Sequence, residues 1–242
     1  MAALMDILVL QHIACEPPGL YEEILLERGA RIHCVERDEG EPLPRSFELF
    51  DAILAMGGPT GVNDEATYPW MREEKAFISR AVRAGVPYWG TCLGVQLLAA
   101  SLGARVYPGP HAEVGLLPIT LTEDALEDPV FRDLPGQLFT VQFHGDTFQL
   151  PDGAVLLASS PAYPHQAFRW RQAYGFQFHL EASSAMVRDW LAVPGYISYL
   201  GLDAAIGSRL LCDIEAHAQE LRAHGRRMFE QWLDLTLAAR RR

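Results

Sequence analysis

Hydrophobic residues in the first half of the chain form short continuous runs separated by amphipathic segments. The runs over 6–11, 30–35 and 51–56 are typical of parallel strands that are buried on both faces. Between the runs, apolar residues recur at helical spacing over 19–27 and 70–84. Because buried strands alternate with helices on short connections, this half predicts a doubly wound α/β domain with a mostly parallel sheet and flanking helices, of the flavodoxin-like type.

The second half has a different pattern. Short apolar segments separated by turns predict strands of more antiparallel character at 105–107, 116–122, 138–143, 154–159, 166–170 and 173–178. From Ser183 onward the spacing is largely helical, with breaks expected at Pro194-Gly195 and again near Gly225. We therefore expect one domain over residues 1–190 and a helical C-terminal extension over 191–242 that packs on it.

Two apolar stripes support a packed C-terminal extension. The first consists of Leu210, Ile214, Ala218 and Leu221, and the second of Met228, Trp232 and Leu235. At helical spacing such stripes are more typical of helices that pack on a core than of a surface for a partner protein.

Charge and composition exclude several classes of function. The 242 residues carry a formal net charge of −11, and basic residues cluster only at 240–242. This balance argues against nucleic acid or an anionic membrane as a partner. Lys75 is the sole lysine, which disfavours a phosphate-binding P-loop or a Schiff-base enzyme.

The N-terminal residues and the cysteines bear on the compartment. The first six residues lack the charged region and long apolar run of a secretory signal, so we expect a cytoplasmic protein. The four cysteines are scattered without metal-binding or redox spacing, which suits a reducing compartment. No metal-ligand motif or cofactor signature occurs, and the sequence therefore predicts neither a metal nor an organic cofactor.

One short stretch carries the strongest chemical signal. Gly90-Thr91-Cys92-Leu93-Gly94 follows an apolar strand and precedes a run of helix formers. Glycines two places to either side allow a strained turn that exposes the central residue above the sheet, as in the nucleophile elbow of serine hydrolases. The N-terminus of the following helix favours a thiolate. The pattern predicts that Cys92 is a nucleophile.

A cysteine nucleophile requires a base and a group that orients the base. His179-Leu180-Glu181 lies at the end of an apolar strand, and in an extended segment its two polar side chains project to the same side. We therefore expect His179 to face Cys92 and Glu181 to hold His179.

With these residues the chain resembles the class I, triad-type glutamine amidotransferases, and most closely the stand-alone proteins similar to the amidotransferase domain of GMP synthase. The resemblance is dense over residues 50–182. It rests on Met56-Gly57-Gly58-Pro59, Pro69-Trp70, Gly90-Thr91-Cys92-Leu93-Gly94-Val95-Gln96, His144-Gly145-Asp146-Thr147-Phe148, Gln166-Ala167-Phe168 and Gln177-Phe178-His179-Leu180-Glu181. One departure is Leu180, where the family usually has a proline that stiffens the turn.

The resemblance implies a reaction and assigns roles. Cys92 attacks the side-chain amide of glutamine and forms a γ-glutamyl thioester, which water then hydrolyses. His179 protonates the leaving ammonia and then activates the water, and Glu181 orients His179. The backbone amides of Gly58 and Leu93 form the oxyanion hole.

The resemblance also implies the substrate contacts. Gln96 corresponds to the side chain that grips glutamine. The segment with Phe143, Gly145 and Asp146 corresponds to the backbone that reads the α-amino and α-carboxylate groups. We expect His144 to fix this loop rather than to act as a second base.

Two enzymatic functions remain open at this stage. A glutamine amidotransferase needs an enzyme that accepts ammonia, and because no ATP-binding signature occurs in this sequence, a separate synthase would be required. The alternative is a free-standing γ-glutamyl hydrolase or peptidase that uses the same thioester chemistry on larger amides. A catalytically idle binding module is disfavoured by the intact Cys92, His179 and Glu181. A second family of α/β proteins also has a cysteine at such an elbow, but it lacks a His-x-Glu motif at the end of a late strand, so His179 and Glu181 disfavour it.

Overall fold

The computed structural model describes residues 5–240, and the side chains of residues 5–238. Its strands are β1 (Asp6–Gln11), β2 (Arg31–Glu36), β3 (Ala52–Ala55), β4 (Tyr88–Thr91), β5 (Val106–Leu121), β6 (Gln137–Phe148), β7 (Val155–Ser159), β8 (Ala167–Trp170) and β9 (Ala173–Phe176). Its α-helices are α1 (Leu20–Glu27), α2 (Trp70–Arg83), α3 (Leu93–Ser101), α4 (Glu123–Glu127), α5 (Ser184–Trp190), α6 (Pro194–Leu200) and α7 (Ala204–Arg240). A short 3₁₀ helix covers Phe47–Leu49.

All the strands of the described residues join one sheet in the order β2-β1-β3-β4-β9-β8-β7-β5-β6. The neighbours from β2 to β9 are parallel, and those from β9 to β6 are antiparallel. This architecture confirms the predicted α/β class. The segments 105–107 and 116–122, predicted as separate strands, belong to the single strand β5, because a register shift between Pro108 and Glu113 lets the strand continue along β6.

Alternate side chains of the parallel strands enter different layers of the core. In β1, Ile7 and Val9 belong to the layer that contains α1 and α7, whereas Leu8 and Leu10 belong to the layer under α2 and α3. The sheet is therefore apolar on both faces, which explains why its strands read as continuous hydrophobic runs.

Helix α7 corrects one prediction. A break was expected near Gly225, but α7 runs through this residue without interruption. A Cβ atom on Gly225 would lie 2.5 Å from the Leu180 carbonyl oxygen, so glycine serves the close approach of α7 to that segment rather than ending the helix. Most residues of the two apolar stripes predicted for this extension are buried, but Ala218 and Leu235 are exposed.

The carboxyl ends of the parallel strands meet at one edge of the sheet. The loops that follow β1, β3, β4 and β9 lie there, which is the usual place for a ligand in an open α/β sheet. Helix α6 approaches the same edge through its contacts with β5 and β6. Within residues 5–240, no helix combines the length and hydropathy required to cross a membrane.

Candidate active site

The turn between β4 and α3 holds Cys92 in a backbone conformation that a residue other than glycine rarely adopts, with φ of 53°. A Cβ atom on Gly90 would lie 2.7 Å from the backbone of Gly94, and one on Gly94 would overlap the carbonyl oxygen of Ala55. The Tyr88 hydroxyl donates a 2.8 Å hydrogen bond to the Gly94 carbonyl. Glycine is required on both sides because the elbow packs directly against neighbouring backbone.

Cys92 is buried, with 8% of the residue exposed. Burial raises the pKa of Cys92, while hydrogen bonding to His179 and the positive charge of that ring act in the opposite direction. The side-chain amide of Gln177 donates to the sulfur at 3.7 Å. The protein thus supplies two groups that favour the thiolate against the effect of burial.

His179 and Glu181 form a short buried pair. Nδ1 of His179 lies 2.6 Å from Oε1 of Glu181, and both side chains are shielded from solvent. Burial alone lowers the pKa of His179, but the charge of Glu181 and the hydrogen bonds to Cys92 and Glu181 outweigh it, so that its pKa lies well above the ordinary value. This arrangement leaves the other ring nitrogen for Cys92.

Leu180 does not loosen the segment between these two residues. Its backbone N–H donates to Glu181 Oε2 at 3.1 Å, a bond that proline cannot make. The Glu181 carbonyl accepts a 3.1 Å hydrogen bond from the N–H of Leu20, and Gly225 packs against the Leu180 carbonyl. Hydrogen bonds and close packing therefore fix the segment in place of a proline ring.

The loop after β3 carries Gly58 and rests on a buried histidine. A Cβ atom on Gly58 would lie 2.8 Å from Cβ of His12. Nδ1 of His12 is 3.0 Å from the Met56 carbonyl and Nε2 is 2.7 Å from Glu74 Oε1. Burial lowers the pKa of His12, but the charge of Glu74 and the hydrogen bonds outweigh this effect, and the pKa is raised. Arg37 donates to the other oxygen of Glu74 at 3.0 Å.

A cavity of about 230 Å³ opens beside Cys92. All the residues predicted for the oxyanion hole and for substrate binding line it, namely Gly58, Leu93, Gln96, Phe143, Gly145 and Asp146. A larger cavity of about 700 Å³ lies elsewhere, between the β8–β9 turn and the end of α7, and no nucleophilic cysteine lines it. We therefore take the smaller cavity as the candidate active site.

Three groups at this site were not predicted. Gln177 accepts a 3.1 Å hydrogen bond from Gln96 and connects it to Cys92. Tyr196 and Tyr199 of α6 close one side of the cavity, and the Tyr199 hydroxyl donates to Asp146 Oδ1 at 2.7 Å. Gln177 stands two residues before His179, so its place in the motif was a usable signal, whereas nothing in the local pattern of α6 pointed to the cavity.

His144 also lines the cavity, but both of its ring nitrogens are engaged. Nδ1 lies 3.0 Å from the Asp146 carbonyl, and Nε2 lies 3.2 Å from Glu113 Oε2 and 3.1 Å from Gln142 Oε1. These bonds fix the loop that carries Gly145 and Asp146, in agreement with the expected structural role.

Comparisons with known proteins agree with this geometry. The family model described as glutamine amidotransferase class-I matches residues 21–189. The chain is 36% identical over 174 residues to the glutamine amidotransferase-like protein YfeJ of Salmonella typhimurium, an alignment that covers 70% of this chain and 73% of that protein. It is 32% identical over 145 residues to GMP synthase of Thermomicrobium roseum, covering 57% of this chain and 26% of the synthase. The chain therefore spans about a quarter of that relative.

Solved structures extend the likeness to nearly the whole chain. A glutamine amidotransferase of Thermotoga maritima is 30% identical with a TM-score of 0.85, over 95% of this chain and 98% of that one. A glutamine amidotransferase of Methylobacillus flagellatus gives a TM-score of 0.86 at 29% identity, over 96% of this chain and 95% of that one. The extent of these matches shows that the chain belongs to the class I glutamine amidotransferase family.

Proposed function

We propose that the protein hydrolyses the side-chain amide of glutamine through a thioester on Cys92. The thiolate attacks the amide carbon, His179 gives its proton to the departing nitrogen, and ammonia leaves. His179 then takes a proton from water, whose oxygen attacks the thioester carbon. The carbon–sulfur bond breaks, glutamate is released, and the thiolate–imidazolium pair forms again.

The observation that best supports this proposal is the position of the His179 ring between a carboxylate and a thiol. Glu181 at 2.6 Å fixes the ring and stabilises its protonated form, which is the acid that the first step needs. The second ring nitrogen is then directed to Cys92.

The oxyanion of each tetrahedral intermediate requires preorganised donors. Leu93 is the first residue of α3, where a backbone N–H has no partner within the helix. Gly58 lies across the same cavity on a loop braced by His12. We propose the backbone amides of Leu93 and Gly58 as these donors.

The other end of the cavity supports recognition of an amino acid. Gln96, Phe143, Gly145 and Asp146 line it together, and His144 holds the loop of the last two. The carboxylate of Asp146 suits an α-amino group, and the amide of Gln96 suits the substrate side chain. We propose these four residues as the glutamine-binding set.

Glutamine is favoured over larger γ-glutamyl amides by two observations. The relatives reported above are named as amidotransferases or as a glutamine-hydrolysing synthase. The cavity of about 230 Å³ is also small. Because the similar region of the synthase is part of a longer enzyme, we further propose that the ammonia passes to a separate synthase protein.

Release of glutamate by the purified protein tests this function. L-glutamine is compared with γ-glutamyl amides and γ-glutamyl dipeptides, with Cys92→Ala as the blank. We expect release from glutamine that Cys92→Ala abolishes. Preferential cleavage of the larger compounds would replace the proposal by a γ-glutamyl hydrolase, and release by Cys92→Ala would contradict the nucleophile.

A further inference from the structure

A second carboxyl group is buried beside the candidate triad. Glu16 lies in the loop between β1 and α1, directly before Pro17 and Pro18, and is only 3% exposed. Among the described residues no lysine, arginine or histidine lies within ion-pair distance of it. A carboxyl that is buried without a cationic partner is costly, so its presence at this position requires an explanation.

Contacts hold the Glu16 carboxyl against the catalytic machinery. The Tyr196 hydroxyl donates a hydrogen bond to Oε1. A Cβ atom on Gly57 would overlap Oε2 of Glu16 and would lie 3.4 Å from Cε1 of His179. The carboxyl therefore fills the space between the loop of Gly58 and the edge of the His179 ring, and Gly57 is a glycine because Glu16 occupies the place of its side chain.

The loop that carries Glu16 is itself fixed. The indole N–H of Trp190 donates to the Cys15 carbonyl at 2.9 Å, and the Glu16 N–H donates to the Ile13 carbonyl at 3.0 Å. Two prolines follow Glu16 and restrict the backbone. These contacts hold the loop in the conformation that buries the Glu16 carboxyl.

The charge of Glu16 is coupled to its neighbours. The pKa of Glu16 is raised to about 7: burial is the main cause and the negative charge of Glu181 adds to it, while the positive charges of His179 and His12 act in the opposite direction. An ionised Glu16 in turn raises the pKa of Cys92. Among the described residues, Cys15 and Tyr196 are further titratable groups that interact with it.

We propose that Glu16 is a positioning residue of this active site, whose carboxyl braces His179 and Gly57 and whose charge controls how readily Cys92 becomes a thiolate. The inference rests on the proposed function, since it assigns Cys92 as the nucleophile. Tyr196 links Glu16 to the cavity wall, so the same carboxyl connects the substrate side of the site to the His179 side.

The pH dependence of Cys92 alkylation by iodoacetamide tests the proposal without any substrate. Peptide mass spectrometry follows Cys92 separately from the other cysteines in the wild type and in Glu16→Gln, which keeps the size and the acceptor for Tyr196. The midpoint is the pH at which the alkylation rate of Cys92 is half of its maximum. Because the variant removes a negative charge, we expect this midpoint to fall by about one pH unit. The matched control Glu39→Gln removes an exposed carboxyl and should leave the midpoint unchanged. An unchanged or raised midpoint in Glu16→Gln would overturn the proposal.

Tyr196→Phe provides a second variant that retains the aromatic ring. Loss of the hydroxyl removes a donor that stabilises the ionised Glu16, so Glu16 keeps its proton to higher pH. We expect a smaller shift of the Cys92 midpoint in the same direction. A shift toward higher pH would contradict the link between Tyr196 and Glu16.

A double-mutant cycle tests the contact with Gly57. Gly57→Ala places a methyl group where the carboxyl lies, so it should slow alkylation of Cys92 in the wild-type background and have much less effect in a Glu16→Ala background. Equal effects in both backgrounds would contradict the proposed contact.

These measurements separate the two claims. A protein that shows the shifts but releases no glutamate would retain the role of Glu16 and lose the proposed substrate. A protein that hydrolyses glutamine with an unshifted Glu16→Gln profile would retain the function and lose the role of Glu16.

Discussion

Two buried histidine–carboxylate pairs lie on either side of the loop that carries Gly58, and they are almost identical in length. His179 is 2.6 Å from Glu181, and His12 is 2.7 Å from Glu74. In both pairs the carboxylate raises the pKa of the ring against the effect of burial. Burial, the distance between ring and carboxylate, and charge therefore do not distinguish a catalytic pair from a structural one.

The second ring nitrogen distinguishes the two pairs. In His12 it lies against the Met56 carbonyl, so the ring serves as a fixed support. In His179 no backbone carbonyl among the described residues engages it, and hydrogen bonding with Cys92 helps to raise the pKa of the ring, so we propose that a proton is transferred there. His144 repeats the pattern of His12, because the Asp146 carbonyl occupies its second nitrogen. A buried histidine–carboxylate pair is thus a candidate catalyst only when its second nitrogen faces a reacting group.

Among the substitutions that test the comparison of the two pairs, His179→Asn should have the largest effect. Loss of the acid and base should lower the rate of glutamate release by about 10²–10⁴-fold, as is typical of removing such a group. Steady-state kinetics with glutamine measures the rate, and thermal unfolding should show little change in Tm. A variant that retains most of its activity would show that His179 is not the base.

His12→Asn should have the reverse pattern. It removes one partner of a buried pair and leaves Glu74 with Arg37 alone, which should lower the free energy of unfolding by about 3–5 kcal/mol. Denaturant unfolding measures this loss. The activity per folded molecule should fall far less than in His179→Asn, and a fall of the same size would remove the distinction between the pairs.

Stability should depend on pH through Glu16. Its pKa rises from 4.5 to about 7 on folding, so between these values the folded state holds a proton that the unfolded chain has released. Stability therefore falls as pH rises through this window, by about 3 kcal/mol for this group. In Glu16→Gln the side chain does not ionise, so this contribution to the pH dependence of stability is absent.

Unfolding of both proteins from pH 4 to pH 8 measures the effect. The stability of Glu16→Gln relative to the wild type should increase up to about pH 7 and then level off. A difference that is constant over the whole range would mean that Glu16 has an ordinary pKa in the folded protein.

The smallest expected effect is that of Leu180→Pro, which introduces the residue usual in the family. The change removes the N–H that donates to Glu181, a bond to a charged acceptor worth about 1.5 kcal/mol. We expect a modest loss of Tm and activity. The control Leu180→Met keeps the N–H and a similar volume. A proline variant as active as the control would show that this hydrogen bond does not position Glu181.

The sequence predicted the parallel half of the sheet well because its signals are local. The strand over 6–11 and the helix over 70–84 coincide with β1 and α2 to within a residue. The elbow at Cys92 was predictable because its glycine spacing is a short motif within the turn, although the close contact that requires Gly94 is with Ala55 of the neighbouring strand β3.

Features that depend on distant packing could not be predicted. The local signal at Gly225 suggested a helix break, whereas the contact that requires glycine is with Leu180, far away in the chain. Glu16 reads as an ordinary loop carboxyl before two prolines, and its burial depends on Tyr196 and Gly57. The histidine–carboxylate pair of His12 and Glu74 also forms only because folding brings two separate segments together.

Trapping the thioester is the most direct test of Cys92 as the nucleophile. Wild-type protein mixed with glutamine is quenched rapidly in acid, and the peptide that contains Cys92 is analysed by mass spectrometry. We expect a glutamyl group on Cys92 that forms before free glutamate accumulates and that is absent from Cys92→Ala. Glutamate release by Cys92→Ala at the wild-type rate, or a glutamyl group on another residue, would contradict this role of Cys92.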